Sequence, residues 1–517
     1  MKSEVGLKTL ISSMNGLPST NNWDIVTSYS EKQLNTFLKN QYNAGKLAKK
    51  VELSTTRVSP LLGTQFSIDY SIYFESPKLS FIEGRSGFAR LEMPIGKQSQ
   101  YTITPKGDEH PTRKKEIPAD TYSLKAIVPL AAIHGSTGQI SELGDVVTFS
   151  SGNPEASHVI IHFNNQKGTS FSIDPAPKLG DKDILEIYFL PVIKEYFQTH
   201  IHAIDYALAG VNNEIPAKGD TVFTPKSFVF AAMGSSGSSG PGVLSLYIQT
   251  EQSGNPPGNP VPSFQPGGTA ISPVPEKYTA SIILSNVLIK NSFLKPQIEA
   301  SGFSVNFVDT TKEAIKASLT KNTSVIVGES NGEIIDSSYY YDGLNLSMES
   351  NPVTLEINNS QITSKWSGMA KSSWGNRTFI ETKSGGQNGT VNLSISMTKG
   401  PIVITVDNDG ITIPDFTFKR SDFNVTPKAE SCDFLQTAQG CVEIIPPFYT
   451  TDLNLQIPSI KLKLHGFNYF RETNLLAPGK ELIDISSDAG LATPYDFLIV
   501  GHVNTKSDEK LVRDNSN

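Results

Sequence analysis

The sequence is short of charge, nearly devoid of cysteine and without any long apolar run, and each shortage removes a class of function. Charged residues occupy 18% of 517 positions and the formal net charge is −7. Phosphate backbones are held by a surplus of Lys and Arg on one face, so nucleic acid is excluded as a partner. No apolar run approaches the roughly 18 residues of a membrane-spanning helix; Ala126–Ile133 is among the longest and is broken by Pro129. Met1–Leu17 carries Lys2 and Lys8 but no apolar core of a secretory signal. The expectation is a soluble chain with no transmembrane segment, cytoplasmic or released without a recognisable signal peptide.

The two cysteines, Cys432 and Cys441, have no His between them and cannot complete a zinc site alone. A disulfide closing this small loop would need an oxidising compartment, so two free thiols are expected. Catalytic patterns are missing as well. The loop Gly234-Ser235-Ser236-Gly237-Ser238-Ser239-Gly240 spaces its glycines by three, whereas a nucleophile elbow needs four, and reads as a hairpin tip. His158 and His162 share a strand parity but would stand about 13 Å apart, too far for one metal. His200 and His202 sit where a helix ends, a favourable place for a cation. Asp407-Asn408-Asp409-Gly410 has Thr405 and Phe416 where a calcium loop needs its first and last ligands, so a β-turn is expected. No cofactor and no metal is implied, and the expectation is a protein that is not an enzyme.

What is present is a chain rich in Gly, Pro, Ser, Thr and Asn, with 38% hydrophobic residues, which fits many strands joined by turns. Ser30 stands three residues before Gln33, a capping box, and Leu34, Phe37, Leu38 and Tyr42 follow at helical spacing, predicting a helix from Glu31 to about Lys50. Phe66, Ile68, Tyr70, Ile72 and Phe74 then alternate with polar residues as in a half-buried strand. Val146–Ser150, His158–Asn164, Phe171–Ile173, Phe228–Ala231 and Leu244–Ile248 continue the strand pattern. Between them, Asp181 to about Thr199 reads as a helix that Pro191 should kink or break. Ser253–Glu276 is dense in Pro, Gly and Asn and reads as a linker. Helical spacing returns over Ala280–Ala300, and Thr310 with Glu313 caps a short helix predicted over Lys312–Leu319. Thr390–Thr398 alternates as a strand, and the parity slips at Pro458-Ser459, predicting a bulge or bend.

The expected organisation is therefore an N-terminal helix-plus-sheet module (1–252), a linker (253–276), a C-terminal module of the same plan (277–503) and a polar tail (504–517). The correspondence between modules is architectural, with no repeat visible at the residue level. The fold class is α+β and strand-dominated, with long amphipathic helices wrapped by strongly curved antiparallel sheets that enclose an apolar seam.

Three segments carry a family resemblance. Trp23-Asp24-Ile25-Val26 followed by Tyr29-Ser30 and Leu34-Asn35 resembles the opening of the P47 proteins found beside clostridial neurotoxin genes. Pro225–Glu251, a strand, a Gly-rich turn and a second strand with a Thr-Glu end, is similar to a further segment. Ala492-Thr493-Pro494-Tyr495-Asp496-Phe497-Leu498-Ile499-Val500-Gly501 resembles a third, although the family has Gly where Tyr495 stands. The resemblance implies a tubular lipid-binding (TULIP-type) fold, binding of phosphoinositides or other lipids, and association with toxin gene clusters.

Two readings of function follow. In the first, the chain binds lipid without catalysis. Acyl chains lie in the apolar seam, lined by Leu34, Phe37, Leu38, Ile187, Tyr188, Val192, Ile283, Val287 and Leu288, and each buried methylene gains about 0.8 kcal/mol. Acidic headgroups dock on Lys46, Lys49, Lys50 and Arg57 at the end of the first helix, or on Arg113, Lys114 and Lys115. Ordinary core packing and solvated surface account for the same residues singly. In the second, the seam is filled by the protein's own side chains, and the chain is an accessory subunit of a toxin-associated complex, with partners encoded nearby and bound at outer strand faces or edges.

Overall fold

The computed structural model describes residues 6–58, 63–106, 112–135, 138–178, 181–216, 221–235, 241–253, 258–310, 314–322, 324–327, 332–334, 337–341, 344–378, 384–400, 403–405, 410–413, 416–418, 424–432, 455–457, 460–463, 465–478, 481–486, 489 and 491–505. Strands dominate, and a strongly curled antiparallel sheet wraps the helices. The α+β class expected from the sequence is the one observed.

A central eight-stranded sheet joins the two halves of the chain. Its order is Val147–Thr148, Pro225–Met233, Val243–Thr250, Ile25–Ser30, Ala280–Leu284, Phe497–Thr505 and Glu481–Ile485, with Leu491–Ala492 also pairing on Phe497–Thr505. Ile25–Ser30 is thus hydrogen-bonded on one side to the N-terminal half and on the other to the C-terminal half. One face of this sheet, through Ile25, Tyr29, Leu244, Leu246, Ile282, Leu284, Phe497 and Ile499, enters the main core with the helices. The opposite face, through Val26, Val229, Tyr247, Ile283, Leu498 and Val500, forms a second cluster covered by the Leu7–Met14 helix, Trp23, Phe264 and Ile271. The described part of the Pro-rich segment, 258–276, is therefore packed: Val274 and Ser272 are fully buried and the Trp23 indole donates to the Asn259 carbonyl at 2.9 Å.

The first helix is Glu31–Asn43, and the Ser30 hydroxyl accepts the Gln33 N–H at 3.2 Å, as the capping box predicts. It ends seven residues before Lys50 because Gly45, at φ +75°, closes a Schellman cap in which Lys46 N–H reaches the Gln41 carbonyl. Lys50–Val58 is a strand. The second helix runs as a π-helix over Asp183–Phe189 and an α-helix over Leu190–Thr199, so Pro191 falls at the start of the α segment, where its missing N–H costs least.

Two helix expectations are corrected. Ala280–Leu284 is a strand, because its β-branched side chains face buried surfaces on both sides of the sheet; the helix begins only at Asn286, after the Ser285 cap. Likewise Ile315–Thr320 is a strand: Ile315, Ala317 and Leu319 are buried in alternation, a period of two that the Thr310 cap signal obscured. Residues 311–313 lie outside the described residues. So do Cys441, residues 406–409, 458–459 and most of the 234–240 tip. The strands flanking two of these gaps pair as hairpins, Thr405 with Gly410 and Met233 with Val243.

A residue-level repeat does exist, hidden by one inserted residue. Ile25–Ser30 and Ala280–Leu284 pair antiparallel about Thr27 and Ile282, and each leads through a serine N-cap into a helix. The bonds on either side match. Ser30 N–H donates to the Thr279 carbonyl (2.9 Å) and Ser285 N–H to that of Asp24 (2.8 Å). The Asp24 carboxylate accepts Thr250 N–H at 2.8 Å, and the Thr279 hydroxyl accepts Val503 N–H at 2.9 Å. Along the helices, Asn35, Phe37, Leu38, Lys39 and Gln41 recur as Asn291, Phe293, Leu294, Lys295 and Gln297. The second copy has one more residue after its serine, and there the helix is π-helical, over Ile289–Leu294. A π turn takes up an extra residue without rotating the helix that follows, so Phe293 and Leu294 stay buried as Phe37 and Leu38 do.

Candidate functional site

The seam between helix and sheet reaches solvent at the start of the second helix, where Ile187 is exposed. There a four-stranded sheet, in the order Lys50–Val58, Gln65–Tyr73, Gln100–Pro105 and Arg113–Glu116, curves past Asp183–Phe189. Alternation along Gln65–Tyr73 turns Phe66, Ile68, Tyr70 and Ile72 toward the helix. Register carries the same face across the sheet: Arg57 lies opposite Phe66, Arg113 opposite Ile103 and then Ile68, and Lys115 opposite Tyr101 and then Tyr70.

Contacts fix the helix on this face. The Tyr70 hydroxyl donates to the Ile184 carbonyl at 2.7 Å, and its ring lies 5.1 Å from that of Phe189. Burial drives the Tyr70 phenol well above its ordinary pKa, so it remains a donor. Tyr188 meets Phe66 edge to face at 6.0 Å, and the Arg57 guanidinium stands 5.8 Å from the Tyr188 ring. On the other edge the Lys115 ammonium pairs with the Asp181 carboxylate, which raises the lysine pKa. Between these edges the apolar surface reaches solvent. Ile187 is 56% exposed, while Phe66, Ile103, Ile184, Tyr188 and Val192 are partly buried against the core. The result is an apolar strip with a cation on each flank.

The structure distributes the other predicted residues differently. Leu34, Phe37, Leu38 and Leu288 are fully buried within the main core. Ile283 belongs to the cluster on the far side of the central sheet, because its strand alternates it away from the helices. Val287 is 39% exposed on the outer side of its helix. The first basic cluster divides: Lys46, Lys49 and Lys50 stay near the helix end, but Arg57 is carried seven residues, about 23 Å, along an extended strand. Lys49 lies over Tyr42 at 5.0 Å, and Lys50 pairs with Glu52 at 2.5 Å. Arg57 instead joins Arg113 and Lys115 on the concave face, while alternation turns Lys114 to the other face. Phe66, Ile103, Ile184 and Asp181 complete the strip. Their apolar periodicity is visible in the sequence; their meeting with Arg57 depends on strand register and is not.

Among the described residues no helix is long and apolar enough to cross a membrane, and no group of three His, Cys, Asp or Glu could hold a metal. No family model matches the chain, and no curated protein sequence matches it. Among solved structures the chain is similar to P47 from Clostridium botulinum A2, at 12% identity over 95% of this chain and 100% of that one, with a TM-score of 0.47. It is similar to P47 of Clostridium botulinum E1 at 11% identity over 93% and 99% of the two chains (TM-score 0.45), and to a lipopolysaccharide binding protein at 9% identity over 93% and 99% (TM-score 0.26).

Proposed function

We propose that the chain is a non-enzymatic lipid-binding protein that takes an acidic amphiphile at the open end of the seam. The observation that carries this reading is the strip at Phe66, Ile184, Ile187 and Tyr188 with Arg57 on one flank and Arg113 and Lys115 on the other. An acyl chain laid there leaves water for apolar surface, and an anionic headgroup at its end meets a guanidinium. Among the described residues Lys115 is already paired with a carboxylate and Arg57 and Arg113 are not, so these two have more to gain from a phosphate. The fully buried residues Leu34, Phe37, Leu38 and Leu288 form the wall behind the strip. The two-module organisation, 1–252 and 277–503, enters this reading as a proposal, with the site in the first module.

The test is co-sedimentation with vesicles of neutral phospholipid, with and without an anionic phospholipid. Binding is expected to need the anionic component and to weaken with salt. A cation near an anionic surface contributes about 1 kcal/mol, so Arg57→Gln with Arg113→Gln should cost about 30-fold in affinity. Lys46→Gln with Lys49→Gln should cost less than about threefold. Ile187→Asp should weaken binding without lowering the melting temperature. Equal binding of neutral and anionic vesicles, or equal loss from both pairs of substitutions, would overturn the site; the absence of any lipid binding would favour the accessory-subunit reading.

A further inference from the structure

A second opening lies on the other side of the central sheet and takes no part in the seam. It is a groove of about 500 Å³, a volume typical of small-molecule sites. Its floor is the outer face of the Pro225–Met233 and Val243–Thr250 hairpin, with Ala231, Met233, Val243 and Tyr247. One wall is the tight turn that carries Glu83 and Arg85, and the other is the Pro-rich segment from Val261 to Pro273. The first wall is held in place. Gly234 approaches the backbone of Glu83 so closely that a Cβ would collide with it, and the Arg85 guanidinium rests 3.9 Å from the centre of the Phe88 ring.

Tyr247 is the informative residue. It is 1% exposed and lines the groove, and no hydrogen bond of its hydroxyl is seen among the described residues. Burial pushes the phenol far above its ordinary pKa, so it persists as a donor. A hydroxyl at the edge of a groove, with no protein partner among the described residues, is a donor available to an acceptor that arrives there. At the rim, Glu83 and Arg85 oppose one another in sign, so neither a cation nor an anion is selected.

We propose that this groove is a binding site for a small uncharged amphiphile, its apolar part on Ala231, Met233 and Val243 and a carbonyl or similar acceptor on the Tyr247 hydroxyl. The proposal is independent of the seam.

Nile red, an uncharged aromatic ketone that brightens when desolvated, is the probe. Fluorescence titration of the full chain should show saturable binding that Tyr247→Phe weakens about three- to tenfold, the loss of one hydrogen bond. Ala231→Phe should fill the floor and abolish binding; Thr269→Trp, on the exposed wall, should do so without touching the core, which guards against an Ala231→Phe variant that fails to fold. Ile187→Asp, in the seam, should leave the titration unchanged. Binding that survives Tyr247→Phe and Thr269→Trp at wild-type strength, or that is lost with Ile187→Asp, would place the dye elsewhere and overturn the proposal.

Discussion

Deleting Lys290 should be tolerated once Pro296 is replaced as well, although deleting a residue from a packed helix is normally severe. The π-helical turn over Ile289–Leu294 holds one residue more than an α-helix would, and the matching helix at Glu31–Asn43 lacks that residue. In a plain α-helix a deletion turns everything downstream by about 100°. Phe293, Leu294 and Ile298, exposed by 4%, 0% and 2%, would then leave the core. At about 1.5–3 kcal/mol each, that amounts to about 5–9 kcal/mol, most of the stability of a typical domain. Removing Lys290 from the π turn should instead restore α-helical bonding and leave those side chains where they are. One obstacle remains, since Pro296 would then lie inside a continuous α-helix at a cost of about 3 kcal/mol. Asn40 occupies the matching position, so Pro296→Asn removes the obstacle.

Urea denaturation followed by circular dichroism measures the outcome. The Lys290 deletion with Pro296→Asn is expected within about 2 kcal/mol of the wild type, and the deletion alone about 3 kcal/mol lower. Deletion of Thr36, which precedes the buried Phe37 and Leu38 in a helix with no π turn, should cost at least about 3–6 kcal/mol. If the doubly altered chain is as unstable as the Thr36 deletion, the π turn is not an inserted residue and the helix correspondence fails.

Two further outcomes follow from the fold. Burial holds the imidazoles of His158 and His162 below the ordinary histidine range, with Glu142 opposing it at His162. The unfolded chain therefore takes up protons that the folded chain resists: stability is complete above about pH 6.5 and declines as pH falls below it. The urea midpoint should drop between pH 7 and pH 5, and His158→Gln with His162→Gln should flatten that slope; an unchanged slope refutes the assignment. Cleavage within 253–276 should leave one species on native size exclusion, because Ile25–Ser30 pairs with strands from both halves. Fragments that separate without denaturant would show that the shared sheet does not hold the halves together.

Elements that depend on local periodicity were legible in the sequence. Alternation at Phe66–Phe74 and the Ser30–Gln33 cap identified a strand and a helix start that the structure contains. Misreadings occurred where two periods overlap. In Ser281-Ile282-Ile283-Leu284 both faces are buried, so alternation vanishes, and Ile283 with Val287 imitates a helical step. The internal repeat escaped because one extra residue breaks any fixed-period comparison, whereas the hydrogen bonds at Asp24, Thr279, Ser30 and Ser285 do not depend on helix phase. The strip was half legible: its apolar residues lie at regular spacing, but Arg57 and Arg113 reach one face only through the register of three strand pairs.

The segments that carry the family resemblance serve the fold and not the strip. Asp496, 1% exposed, accepts the Ser19 N–H and hydroxyl on one oxygen, at 2.6 and 2.7 Å, and the Asn286 N–H on the other, at 2.9 Å. One carboxylate thereby ties the N-terminal segment, a helix start and a central strand together. Burial lifts its pKa while the hydrogen bond from Asn286 and those from Ser19 oppose the rise. Asp24, fully buried, does the equivalent work for Thr250. Gly501 is required because a Cβ there would strike the Asp484 carbonyl of the adjacent strand. Such positions admit few substitutes, since a changed residue leaves buried donors unpaired at about 1–3 kcal/mol each. The strip and the outer groove need only apolar surface of the right shape with one or two polar groups at its edge, and many residues meet that requirement. A local sequence pattern therefore identifies the frame far more readily than the surface on which the frame acts.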